Sequence, residues 1–113
     1  MSKRSAKVYL QDILESIDAI DKYLGDSTEY ELSKNIMQLD AIVRRFIIIG
    51  EASSQMSLHF KEKYPNIDWR YMKAMRNKVT HEYFGLSVPS IYSTIKTDLP
   101  VLKDQVIELL KTI

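Results

Sequence analysis

Cysteine is absent from this 113-residue chain, which removes disulfides and thiolate metal ligands from consideration. Glycine and proline are scarce, at three each. That scarcity excludes a turn-rich all-β domain and low-complexity linkers. Long apolar runs are missing too. The longest is "FIII" at 46–49, far short of a membrane span. The start, "MSKRSAKVYLQDILESIDAI", is positive but runs into Asp12, Glu15 and Asp18 where a secretory signal would be apolar. A cytoplasmic protein with no membrane association is the expectation. Net charge is only +1, so a strong nonspecific hold on nucleic acid is not expected. No stretch alternates with the period of a strand, and there is no internal repeat.

What is present is apolar periodicity on a helical scale. With 45% hydrophobic and 27% charged residues, the chain can bury one modest core, and a single domain over 1–113 is expected. Tyr9, Ile13, Ile17, Ile20 and Leu24 recur at steps of three and four, and Gly25 offers a stop. Thr28 and Glu31 have capping-box spacing. A long periodic run follows from Leu32 to Phe60. Gly50 and the Ser53–Ser54 pair are where it would kink or split, and "YPN" (64–66) must end it. Asp68 is the expected N-cap of a helix over 69–84, stopped by Gly85. A last helix opens near Ser87 and Pro89, and Pro100 should kink or break it. The fold class is therefore all-α: an antiparallel bundle of four to five helices.

The stretch "MRNKVTHEYF" (75–84) concentrates reactive side chains. Residues 66–84 carry Arg70, Lys73, Arg76 and Lys78 against Asp68 and Glu82, a local +2 that leaves −1 for the rest. At about 100° per residue from Arg76, Met75, Val79, Met72, Tyr83 and Trp69 form an apolar stripe. Arg70, Ala74, Asn77 and His81 share a separate band near 100–160°. An ordinary solvated face would hold more Lys and Glu there. Lys73 and Lys78 read as solvated and Trp69 as core. Arg76 and Tyr83 lie on one edge, two turns apart. Arg76 and His81 are offset by about 140° and about 7.5 Å of rise, so only a group reached by both could join them. From spacing alone, a surface arginine and histidine with no catalytic role is the more frequent case. Glu51, set among apolar residues, either pairs with a cation in the bundle or serves the site.

These residue types suit phosphodiester chemistry. Histidine moves protons near neutral pH. Arginine forks onto phosphate oxygens, and asparagine can orient a base or a ring. No carboxylate pair accompanies them, so neither a metal nor another cofactor is expected. A metal-free cleavage needs the RNA 2′-hydroxyl as nucleophile and would leave DNA intact. It also needs both an acid and a base. His59, the only other histidine, lies on a different helix. A two-fold homodimer with two copies of His81 across one groove would supply both.

"RNKVTHEYF" resembles the R-x4–6-H motif of the HEPN superfamily in its R-N-x3-H-x-Y form, similar to the HepT-like toxins of MNT/HEPN toxin–antitoxin pairs. "FIIIGEAS" resembles that family's I-G-E-A segment. "IDWRYMKAMRNKVTHEYFG" and "IYSTIKTDLPVL" resemble the stretches around the motif. The likeness runs from the first helix to the last. It implies a dimeric helical bundle that cuts RNA without metal, a toxin of a type VII-like system, with Arg76 and His81 as the catalytic pair. Asn77 matches the polar residue after the arginine. Tyr83 matches the tyrosine that a cognate MNT-type nucleotidyltransferase antitoxin adenylylates. Some HEPN proteins bind nucleotides or partners and cleave nothing, so a noncatalytic module of a nucleotidyltransferase complex is the alternative.

Overall fold

The computed structural model describes residues 5–81 and 87–113. All regular structure among them is helical. Helix α1 spans Ala6–Leu24, α2 Glu29–Lys34, α3 Ile36–Gln55, α4 Leu58–Lys63 and α5 Trp69–His81. Helix α6 (Val88–Ser93), a π-helical turn (Thr94–Asp98) and α7 (Leu99–Thr112) follow one another without a break.

The caps explain most of these boundaries. Ser5 caps α1 by accepting from the Val8 amide. Gly25 ends α1 at φ +54°, a backbone region in which its missing Cβ avoids strain. Thr28 and Glu31 form the expected reciprocal box, each side chain accepting from the other's backbone amide. Asp68 accepts from the Tyr71 amide at 3.0 Å, and Ser87 from the Ser90 amide at 3.3 Å. Helix α5 is described as far as His81. The expected extension to 84 and the stop at Gly85 lie outside the described residues.

Two expectations on breaks are corrected. The long apolar run is not interrupted at Gly50 or at Ser53–Ser54, both inside α3. It breaks at Asn35, which closes α2 and caps α3 by accepting from the Gln38 amide at 3.0 Å. It breaks again at Met56–Ser57, where Ser57 caps α4 through the Phe60 amide. Pro100 does not break the C-terminal rod. Proline lacks an N–H for the carbonyl four residues back, and its ring crowds that carbonyl. Here the turn just before it is widened, with the Leu99 amide bonding the Thr94 carbonyl five residues back. Pro100 then sits in the first turn of α7, where a missing donor costs little.

Helices α1 and α3 pack antiparallel. The Gln38 side-chain amide at the start of α3 donates to the Tyr23 carbonyl (2.8 Å) and the Ser27 hydroxyl (2.9 Å) beyond the end of α1. With a further bond to the Leu24 carbonyl at 3.3 Å, two orphan carbonyls of α1 are thereby satisfied. Helices α3 and α5 are antiparallel as well. Ser53 donates to the Trp69 carbonyl, while Gly50 meets Met72 and Arg76 further along α5. The core is built from Leu10, Ile13, Ile17 and Ile20 of α1, Ile42, Phe46 and Ile49 of α3, Met72 and Val79 of α5, and Ile91, Ile95, Leu102 and Val106 of the C-terminal rod, all buried. Tyr9, Ile13, Ile17, Ile20 and Leu24 are buried on α1 as their spacing requires. No helix among the described residues is long and apolar enough to cross a membrane.

Candidate active site

Gly50 sets the geometry of the site. A Cβ placed on it would stand 2.1 Å from the Arg76 Cβ and 2.9 Å from the Met72 carbonyl oxygen. Only a residue without a side chain lets α3 and α5 approach this closely. The approach delivers the next residue, Glu51, to the arginine. The Arg76 Nη1 donates to the Glu51 Oε1 in an ion pair. The Arg76 Nε donates to the Asn77 Oδ1 at 2.8 Å. The Arg76 side chain is 19% exposed and that of Glu51 50%.

The guanidinium is thus held by two of its nitrogens. Its Nη2 donates to no described partner, and a planar fork held this way loses little further freedom on meeting an anion. Asn77, accepting through Oδ1, keeps its NH2 group as a donor. The arrangement presents an Arg76 N–H and an Asn77 N–H at one place, a pairing suited to phosphate oxygens. The carboxylate of Glu51 neutralises part of the arginine's charge. An anion meeting Arg76 would share the guanidinium with it.

His81 is exposed at the last described position of α5. It makes no hydrogen bond to Arg76 or Asn77. The helix is regular from Arg76 through His81, so their offset of about 140° stands, and a group between them must be contacted from two sides. Arg70 and Ala74, of the same band, are exposed, and Asn77 is half-buried. Met72 and Val79 of the opposite stripe are buried, with Trp69 and Met75 half-buried. Tyr83 lies outside the described residues.

The start of α5 is clamped by Trp69. Its indole N–H donates to the Lys61 and Tyr64 carbonyls, each at 3.1 Å, and Phe60 meets its ring edge-on. Further along, the Tyr71 hydroxyl donates to the Asp98 carboxylate and lies 3.2 Å from the Thr94 hydroxyl. Burial, reinforced by the bond to Asp98, raises the Tyr71 pKa to about 12. It remains a neutral donor tying α5 to the π-helical turn. Sequence reasoning missed this tie, because nothing in the local pattern pairs residues 71 and 98. It left Glu51 open between two roles. The structure pairs it with a cation, and because that cation is Arg76 of the candidate site, the two roles coincide.

Among the described residues, no group of three or more His, Cys, Asp or Glu side chains could hold a metal ion.

Comparison with known proteins adds an independent line. The family model described as "Ribonuclease HepT-like" matches residues 13–109. A "putative RNase" of Methanocaldococcus jannaschii is 39% identical over 106 residues, covering 94% of this chain and 97% of that one. The "probable ribonuclease HepT" of Thermococcus cleftensis is 40% identical over 101 residues, covering 89% of this chain and 92% of that one. A "gamma-glutamylcyclotransferase and putative RNase" of M. jannaschii is 35% identical over 109 residues, 96% of this chain. The chain spans 49% of that longer relative. No solved structure matches.

Proposed function

This chain belongs to the ribonuclease HepT-like family, and on that premise we propose that it is a metal-independent endoribonuclease with Arg76 and His81 as its catalytic pair. The observation that carries the reading is the arginine itself. Arg76 is held at the helix crossing by Glu51 and Asn77, and its Nη2 has no partner among the described residues.

The reaction is a transesterification within RNA. A base removes the proton of a ribose 2′-hydroxyl, whose oxygen attacks the adjacent phosphorus. The bond to the 5′-oxygen breaks, a cyclic phosphate remains, and an acid protonates the departing oxygen. Arg76 and Asn77 meet the non-bridging oxygens as charge builds on them. His81 transfers a proton. In an in-line displacement the attacking 2′-oxygen and the departing 5′-oxygen lie on opposite sides of the phosphorus, so the reaction calls for a proton-transfer group on each side, and a homodimer supplies the second His81 across a shared groove. A defined RNA should be cut in the presence of EDTA, and the DNA of the same sequence should survive. Cleavage of DNA would contradict an internal nucleophile.

The same reading makes the protein the toxin of a toxin–antitoxin pair. Its partner would be an MNT-type nucleotidyltransferase that adenylylates Tyr83. Two turns from Arg76 on an ideal helix, an attached nucleotide would bring negative charge and bulk beside the site and repel substrate phosphate. Mass spectrometry after co-expression should find AMP on Tyr83, and Tyr83→Phe should escape silencing. An unmodified but silenced protein would mean inhibition by binding alone.

A further inference from the structure

A cleft of about 750 Å³ opens between the end of α3, α4 and the first turns of α5. It lies along the same helix as the candidate catalytic residues, toward its N-terminus. Three cations line it, Lys61, Arg70 and Lys73, against two carboxylates, Glu62 and Asp68. Asp68 is engaged in capping α5. Lys61 donates to the Ser53 carbonyl. Arg70 and Lys73 are exposed and have no ion-pair partner among the described residues. The opposite character is present too. Leu58 is 70% exposed at the cleft, and the indole of Trp69 is fixed in its lining. The hydroxyl oxygen of Ser54, another lining residue, is buried with no hydrogen-bond partner among the described residues.

Position on α5 ties this cleft to the active site. Arg70, Lys73, Asn77 and His81 follow at steps of three, four and four, which is one ridge of a helix. Arg70 and His81 stand about 16 Å apart along the axis, a track longer than one nucleotide. A single strand is bound by cations that follow its backbone and by apolar or aromatic surface that receives its bases. The cleft has both, and a strand whose scissile phosphate sits at Arg76 would pass along the ridge into it.

We propose that this cleft is a second RNA subsite, in which Arg70 and Lys73 hold backbone phosphates of a single strand next to the cleavage site. The inference rests on the ribonuclease reading. It adds that the enzyme engages several nucleotides, with affinity set in part by residues away from the chemistry.

The test is equilibrium binding of a 2′-O-methyl oligoribonucleotide, which lacks the nucleophile and cannot be cut, over a series of salt concentrations. Each phosphate contact on a single strand contributes about 0.7 to the slope of log K against log salt. The double variant Arg70→Ala/Lys73→Ala should therefore bind more weakly, with a slope shallower by about 1.4. Both residues are exposed, so its melting temperature should match the wild type. Lys22→Ala/Lys34→Ala removes the same charge at the far end of α3 and should leave the slope unchanged. A wild type that cuts RNA, with a slope that the cleft variant lowers no more than this control, overturns the subsite alone. A wild type that neither binds the oligonucleotide nor cuts RNA overturns the ribonuclease reading and the subsite with it.

Discussion

Arg76 shows how much one side chain depends on its neighbours. Its charge is permanent, but its direction is set by Asn77 on its own helix and by Glu51 on another. The account therefore treats it as a fork, and a point charge should not replace it. Arg76→Ala should lower the cleavage rate by about 10²–10³-fold, the typical effect of losing one aimed donor. Arg76→Lys should recover little of that loss. Single-turnover rates at saturating RNA would measure this, and near-normal activity of the lysine variant would mean that diffuse charge is sufficient. That Asn77 and His81 lie off the buried stripe of α5 was legible in the sequence, because an amphipathic helix fixes which residues share a face. The partner of Arg76 was not. Residues 51 and 76 meet only because two helices cross there, and no local pattern encodes a crossing.

At the scale of elements, that crossing rests on Gly50. Gly50→Ala would put a methyl group 2.1 Å from the Arg76 Cβ. The helices must separate or the arginine must move. Overpacking of this kind costs about 1–3 kcal/mol, to be read from urea denaturation, and activity should fall with it. An alanine variant with unchanged stability and rate would show that the helices are not held so closely. Gly50, with Ser53–Ser54, was read as a place where the helix would kink or split. Its actual use, close approach, is visible only with the second helix in place. The capping box at Thr28–Glu31 and the caps at Asp68 and Ser87 were legible, since a cap is a local bond between residues three apart. The break at Asn35 was hidden because apolar spacing runs through it from Leu32 to Ile36. At Pro100 the expected break is absent, since a π-helical turn just before it takes up the missing donor.

At the scale of the whole molecule, the exposed band on α5 is the feature that a single chain leaves unexplained. Arg70, Ala74 and His81 face solvent there. The proposed mechanism needs two His81 side chains across one groove, so light scattering at micromolar concentration should give twice the 13.2 kDa chain mass. A monomer that cuts RNA at full rate would require another acid or base. The central claim is that His81 moves a proton in RNA cleavage, and one comparison tests it most directly: a defined RNA incubated with EDTA and either the wild type or His81→Ala. The account predicts cleavage by the wild type and a loss of about 10²–10⁴-fold in the variant. The variant's melting temperature should be unchanged, because His81 is exposed and outside the core. Equal cleavage by the two proteins would contradict the account, and so would a loss of activity that merely followed a loss of folding.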